Sequence, residues 1–497
     1  MNSICFGWSE ISLVPEGKKV NLAGQFYERI TDQVRDPLTV TALAIECGEE
    51  KAILCSADLI SVSHVLLSAV RERMRGKTDF PLERLTVSAI HTHTAPDYSP
   101  RSDELLGNTV SILQSMIPDL SYEEVVSDED GTVFRGTDAF NFFADRIAEA
   151  AISAWNNRKK GGRFASGFGR AAVGMCRRTC YDDGSALMWG DSNSANFTEL
   201  EGGNDSGIEL MFLADEQERL TGVIANLACP AQVLQQRNSM SADFWGDVKK
   251  QLRERLGDDI FLLPLCSAAG DQCPIDLIRW VEPETPILDP NIVRVNPTER
   301  IADPSMFDES GCARVARRIT TEILWAYEER TPYAEKAPFD HRVIHMDMPL
   351  RRVTLEERNA SLREIEKFAS ERKGKSFNFA DNAKMYIFAG NIDRYEQQQH
   401  IDLTPIEVHI LRLGDIVIAT NPYELFLDWG NQIKARSRAK QTMIVQLCCG
   451  ASGYLPTEKA ERGGHYSAYV SSGLQGHEGG ELLVRKTVQT INEMLGK

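Results

Sequence analysis

Two aliphatic and β-branched runs, Leu38 to Ile45 and Ala52 to Leu59, lie either side of a Gly48-Glu49-Glu50 turn. That arrangement commits the N-terminal part of the chain to a β-hairpin. The period then changes. Ser63 to Arg75 carries Val65, Leu66, Val70 and Met74 at helical spacing, and Leu85 to Ile90 returns to strand character. Thr137 or Asp138 can cap a helix reaching to Asn157 that aligns Phe142, Phe143, Ile147, Ala151 and Trp155 on one face. A second strand-helix-strand order follows, with Gly222 to Ala228, a helix closing at Gly257, and Ile260 to Leu265. Strands joined through helices build a parallel or mixed layer, so the fold class expected is mixed α/β to α+β.

Beyond residue 400, two strands flank Gly414-Asp415. A helix is expected from Glu424 to Lys434, a strand from Met443 to Leu447, and a last helix from Glu481 to Leu495 after a Gly-rich stretch. Residues 330 to 400 differ from their surroundings. They are charged, poor in glycine, and carry a long helical pattern from Leu355 to Arg372. They are expected to form a helical insertion or inter-lobe region inside one domain spanning 1 to 497.

Charge and cysteine usage narrow the function classes. A formal net charge of −17 leaves no basic face for displacing counterions, which argues against nucleic acid as a partner and against anionic membrane surfaces. Eleven cysteines are an odd number in a chain long enough to need no covalent staples, so they read as reduced thiols. The start, Met1-Asn2-Ser3-Ile4-Cys5-Phe6-Gly7, lacks the basic and apolar regions of a leader peptide, and no apolar run is long enough to span a bilayer. A cytoplasmic location is expected.

The chemistry centres on His91-Thr92-His93-Thr94-Ala95-Pro96, directly after an apolar strand. Residues two apart in an extended strand share a side, so His91 and His93 can face one point at a strand end. Such ends carry the sites of many α/β proteins. Barrel-type amidohydrolases also open with His-x-His, but they need further histidines from later strands. None occurs here between His93 and His341.

The run resembles the His-Thr-His-Ser-Gly-Pro signature of the neutral, non-lysosomal ceramidases and their bacterial relatives. Other segments match that family in order: Leu22-Ala23-Gly24 with Arg29, Asp36-Pro37-Leu38, Asp58-Leu59-Ile60, Gly222 to Pro230 followed by Ser241-Ala242-Asp243, Gly270-Asp271-Gln272-Cys273-Pro274, Pro422-Tyr423-Glu424-Leu425-Phe426, and Gly453-Tyr454-Leu455-Pro456-Thr457. The resemblance implies a ceramidase-like catalytic domain without the family's C-terminal immunoglobulin-like domain, a Zn2+ cofactor, and hydrolysis of a C–N amide bond. It places His91, Glu424 and Tyr454 on the metal. His93 becomes an orienting or proton-handling neighbour, Tyr466 a contact to the scissile group, and Arg177 or its neighbour Arg178 its assistant.

Two positions depart from the family. Cys229 stands where a second histidine ligand is expected, and is either a thiolate ligand or an inert buried thiol. Cys273 replaces a serine, and either lines the pocket or acts as a nucleophile with His465 as its base. These changes leave open a soluble small-molecule substrate beside a lipid amide, hydrolase or lyase chemistry with an altered metal, and a metal-free binding protein on the same scaffold. Cys448-Cys449 is expected to be core, and the Cys176 and Cys180 pair lacks redox spacing. His341 and His345 lie in a strand-like stretch, Gly473 to Gly480 reads as a flexible loop, and His477 is expected to be solvated.

Overall fold

In the hairpin, Thr39–Cys47 and Glu50–Ala57 pair antiparallel with Cys47 opposite Glu50. Gly48 takes φ 66° at the first of two turn positions, a conformation the missing Cβ makes cheap and one that matches the strand twist. The structure is a computed structural model that describes residues 3–25, 27–98, 112–113, 115–116, 131–281, 301–302, 306–372 and 379–496.

The hairpin lies in an eight-stranded sheet. From one edge its strands run Phe261–Cys266, Leu220–Leu227, Gly207–Ala214, Lys159–Arg170, Ile4–Ser12, Thr39–Cys47, Glu50–Ala57 and Leu85–Ala89. The interior pairs are antiparallel, whereas the outermost pair at each edge is parallel. Each parallel pair needs a crossover, supplied by the helices His64–Met74 and Phe244–Leu256. Ser63 accepts from the Leu66 amide to start the first, and Gly257 ends the second at φ 112°.

A second sheet orders Phe339–Pro349, Leu403–Leu413, Ile416–Thr420 and Gln441–Val445. Its last pair is again parallel, with helix Leu427–Arg436 between the strands. The carboxyl ends of all these parallel pairs meet. The Ala89 amide donates to Leu447 O at 3.2 Å, Gln446 N to Cys266 O at 3.0 Å, and Ser267 N to Leu227 O at 2.8 Å. Loops leaving those ends therefore converge on one place.

Two apolar clusters hold the frame. Helix Gly136–Asn156 buries Phe143, Ile147, Ala151 and Trp155, four residues apart, against the large sheet. The helix begins at Gly136, and no side chain caps it, so neither Thr137 nor Asp138 has the capping role expected of it. Trp155 is 2% exposed, stacks at a tilt 4.9 Å from the Phe80 ring, and donates Nε1–H to Asp79 Oδ1 at 2.6 Å. Burying a side chain of this size contributes on the order of 2–3 kcal/mol. The second cluster places Tyr423, Leu425, Trp429 and Ile491 between the small sheet and helix His477–Met494.

Residues 330 to 400 hold the strand Phe339–Pro349 and the helices Leu355–Arg372 and Phe379–Gln397. This helical pair braces the Gly-rich loop. Tyr386 and Ser472 share a hydroxyl contact of 2.7 Å, and Arg394 donates to the carbonyls of Gly473 at 2.9 Å and Leu474 at 3.1 Å. Among the described residues, no helix is long and apolar enough to cross a membrane.

Candidate metal centre

The strand Leu85–Ala89 stops short of the histidines, and the two imidazoles converge for a reason other than strand alternation. His91 lies at φ 66°, a conformation that costs a non-glycine residue about 1 kcal/mol or more. Its surroundings enforce it. Leu59 O accepts from the amides of His91 at 3.1 Å and Thr92 at 3.2 Å, while the Thr92 and Thr94 hydroxyls both donate to Ser241 O, at 2.8 and 2.9 Å. The turn sets the rings 4.9 Å apart at 85°, with Nε2 to Nε2 at 3.4 Å.

His91 Nδ1 lies 2.8 Å from Ile60 O, which can only accept, so Nδ1 carries a proton and Nε2 is the nitrogen left to face the centre. That nitrogen faces Glu424 Oε2 at 3.3 Å.

Glu424 belongs to a short strand, Glu424–Leu425, rather than to the start of the expected helix, which begins at Leu427. Glu424 pairs in parallel register with Tyr454, and the Tyr454 hydroxyl hydrogen-bonds the Glu424 carboxyl group. Burial pushes that carboxyl up, but His91, Arg177 and the Tyr454 hydroxyl outweigh it and leave it below the ordinary range. Burial, with Glu424 beside it, drives the Tyr454 phenol well above its usual value. The Tyr466 ring stands 5.6 Å from Tyr454 at 72°, with a hydrogen bond between their side chains.

The adjacent arginines take different jobs. Arg177 Nη2 donates to Tyr454 Oη at 3.1 Å and to Gly270 O at 2.7 Å. Arg178 turns the other way into a two-pronged pair with Glu201, at 2.7 and 2.9 Å, and donates to the carbonyls of Tyr466 at 2.8 Å and Gly464 at 2.7 Å. Arg177 thus faces the centre, and Arg178 fastens the loop that carries Tyr466.

His93 sits behind His91. Burial first, and then its neighbours His91, Arg29 and Arg177, hold its imidazole well below the usual histidine range, so it is neutral. Gly24, at φ 96°, lets the ring approach: a Cβ there would lie 2.5 Å from the imidazole. Arg29 donates to His93 O at 2.5 Å and to Ala23 O at 2.6 Å, which accounts for the N-terminal motif as scaffolding. Asp36 does similar work, accepting from Ser241 Oγ at 2.5 Å and Ala242 N at 2.7 Å. Asp271 accepts from Leu427 N at 2.8 Å and so satisfies a helix start.

The two cysteines stand apart from these contacts. Cys229 is fully buried, with its thiol 3.4 Å from Val173 O and 3.6 Å from Pro230 O. Among the described residues it does not come within ligand reach of His91 and Glu424 together. Burial drives its pKa well above the usual thiol value. The side chain of this segment that does reach the histidines is Gln232, whose amide lies 2.5 Å from His93 Nε2. Its signal in the sequence is a lone amide inside the otherwise apolar stretch from Ala228 to Leu234. The Cys273 thiol donates to Ile275 O at 3.1 Å in an apolar cluster with Met188, Trp189 and Leu277, and burial pushes it up to about 12. His465 Nδ1 accepts from the Met188 amide at 3.0 Å, so that nitrogen is engaged by backbone. His477 is paired with Glu461 at 2.9 Å.

An imidazole nitrogen and a carboxylate drawn together among buried side chains are donor types zinc takes, and the Tyr454 phenol oxygen lies beside them. No protein-family model matches the sequence, and no curated protein does. Similarity emerges in three dimensions. The crystal structure of neutral ceramidase from Pseudomonas aeruginosa superposes on 100% of this chain and 75% of its own, with TM-score 0.67 at 14% identity. A ceramidase complexed with C2 gives TM-score 0.67 at 12% identity, over 99% of this chain and 75% of the other. The mixed α/β architecture expected from the resemblance is therefore the one observed: the chain has the neutral ceramidase fold.

Proposed function

We infer that this protein is a metal-dependent hydrolase that cleaves a C–N amide bond in a small-molecule or lipid amide. The observation that carries this reading is the approach of His91 Nε2 to Glu424 Oε2 at 3.3 Å, with Tyr454 hydrogen-bonded to the same carboxyl group. Bound to His91, Glu424 and Tyr454, a zinc ion would supply a Lewis acid and a water that ionises near neutral pH.

The chain's own groups then have separate tasks. Glu424 and His91 hold the cation, with His91 fixed in one tautomer by Ile60 O. Arg177 and the Tyr466 hydroxyl donate hydrogen bonds toward oxygen on the scissile carbonyl as negative charge develops there. His93, kept neutral by burial and its cationic neighbours, serves as the orienting partner of His91, their Nε2 atoms 3.4 Å apart. Cys229 and Cys273 have no part in this scheme, since their thiols are spent on backbone carbonyls.

The test pairs metal analysis with an assay on a fluorescent short-chain ceramide and on a soluble N-acyl amine. About one zinc at this centre, with hydrolysis of either amide, supports the reading. Protein that folds, binds no metal here and cleaves neither would overturn it. Tyr466→Phe, which removes one hydroxyl and little volume, is expected to lower kcat by roughly 10²–10³-fold with KM nearly unchanged. Steady-state kinetics on the better amide measures both constants.

A further inference from the structure

Away from the His91 centre, Glu407, His409 and Cys449 place a carboxylate oxygen, an imidazole nitrogen and a thiol sulfur within 4.8 Å of one another. Glu407 and His409 are two apart on the strand Leu403–Leu413 and share its face. Cys449 arrives from the loop after Gln441–Val445, with its backbone at φ 61°. The cluster lies at the seam between the two sheets, where His409 is 0% exposed and Cys449 4%. We propose that Glu407, His409 and Cys449 form a second metal site, for a thiophilic divalent ion such as zinc, that braces the loops carrying His91 and Glu424.

The surroundings of the three side chains are those of a ligand set. His409 Nδ1 is 2.9 Å from His341 Nε2, and His341 Nδ1 is 3.3 Å from Lys51 O. Lys51 O can only accept, so His341 carries its proton on Nδ1 and accepts at Nε2. His409 must then carry a proton on Nδ1. Its Nε2, 2.7 Å from Glu407 Oε1, is the nitrogen turned toward the carboxylate and free to exchange a proton for a metal. A histidine ligand oriented by a hydrogen bond at its other nitrogen is the arrangement metal sites use. Glu407 is held from behind by both prongs of Arg71, at 3.0 and 2.6 Å, and keeps lone pairs to spare.

Geometry also sets how far the site must adjust. Bond lengths of about 2.0–2.3 Å in a tetrahedron put ligand atoms about 3.3–3.8 Å apart. His409 and Glu407 would part by less than about 1 Å from their hydrogen-bonded spacing to admit the ion. Cys448 Sγ stands 3.7 Å from Cys449 Sγ and is the nearest additional sulfur. Binding releases the Nε2 proton of His409, takes the Cys449 sulfur as thiolate and needs no redox step.

The position explains what such an ion would do. Cys449 N donates to Val87 O at 2.9 Å, on the strand that ends before His91, and Cys448 N donates to Asn421 O at 2.9 Å, shortly before Glu424. An ion on Cys449 therefore fixes both carriers of the first centre.

Cobalt(II) distinguishes the two sites, because only this one offers sulfur. Full-length protein stripped by a chelator and titrated with cobalt(II) is expected to bind two equivalents and to show thiolate-to-cobalt charge-transfer absorption in the near ultraviolet. Cys449→Ser should lose that absorption and one equivalent. His91→Ala should keep the absorption and lose the other equivalent. Absence of the absorption in wild-type protein overturns the proposal without recourse to any variant, as does absorption that survives Cys449→Ser. Cobalt bound once, kept in Cys449→Ser and lost in His91→Ala, overturns it while leaving the first centre intact.

Discussion

Replacing His91 by alanine is expected to strip the metal from the first centre and lower kcat/KM for amide hydrolysis by more than about 10³-fold, beyond the roughly 10²–10³ that loss of a single oxyanion donor costs. The imidazole Nε2 faces Glu424 Oε2 at 3.3 Å, and Ile60 O fixes the other ring nitrogen. Without it, Glu424 retains Tyr454 and the nearby charge of Arg177, and the carboxylate turns from metal ligand to partner of a cation already present. Added zinc should not restore the rate. Metal content, circular dichroism and initial rates measured on one preparation check this, and a folded variant with wild-type metal and rate removes His91 from the centre.

The largest stability effect is expected at Arg178. Its side chain is 0% exposed and that of Glu201 4%, and the two-pronged pair also anchors the loop through Tyr466 O and Gly464 O. Arg178→Met leaves the Glu201 carboxylate buried and unpaired, and losses of about 3–5 kcal/mol are typical when one partner of a buried pair is removed. Replacing both residues, as Arg178→Met with Glu201→Leu, should recover much of that loss, since the stranded charge goes too. Urea unfolding of the single and double variants decides it. A single variant within about 1 kcal/mol of wild type would mean that water reaches Glu201.

Local order was legible in the sequence where periodicity or turn chemistry dictates it. The hairpin about Gly48, the helix Leu355–Arg372 and the turn at Gly414 all fall where the residues place them. Long-range pairing was not. Glu424 reads as a helix start because Leu425, Phe426 and Trp429 have helical spacing, and only its register with Tyr454 makes it strand. Arg177 and Arg178 could not be told apart, because adjacent residues on extended backbone face opposite ways and nothing local says which way is inward. The segment after Leu227 offered Cys229 by order of motif, but the turn brings Gln232 to His93 instead. Glu407 and His409 share a strand face that the pattern could have shown, yet their meaning depends on a cysteine from another loop.

The meeting of the parallel pairs bears on how the protein is made. No short stretch of chain contains the His91 centre: His91 follows the N-terminal crossover, whereas Glu424 and Tyr454 lie far along the sequence on their own short parallel pair. Closing such distant contacts is slow, because loop entropy is lost before the contacts reward it. The centre is thus completed late in folding. Partly folded chains would present His91 and His93 without Glu424, and metal would be held at full strength only by molecules whose two sheets have docked.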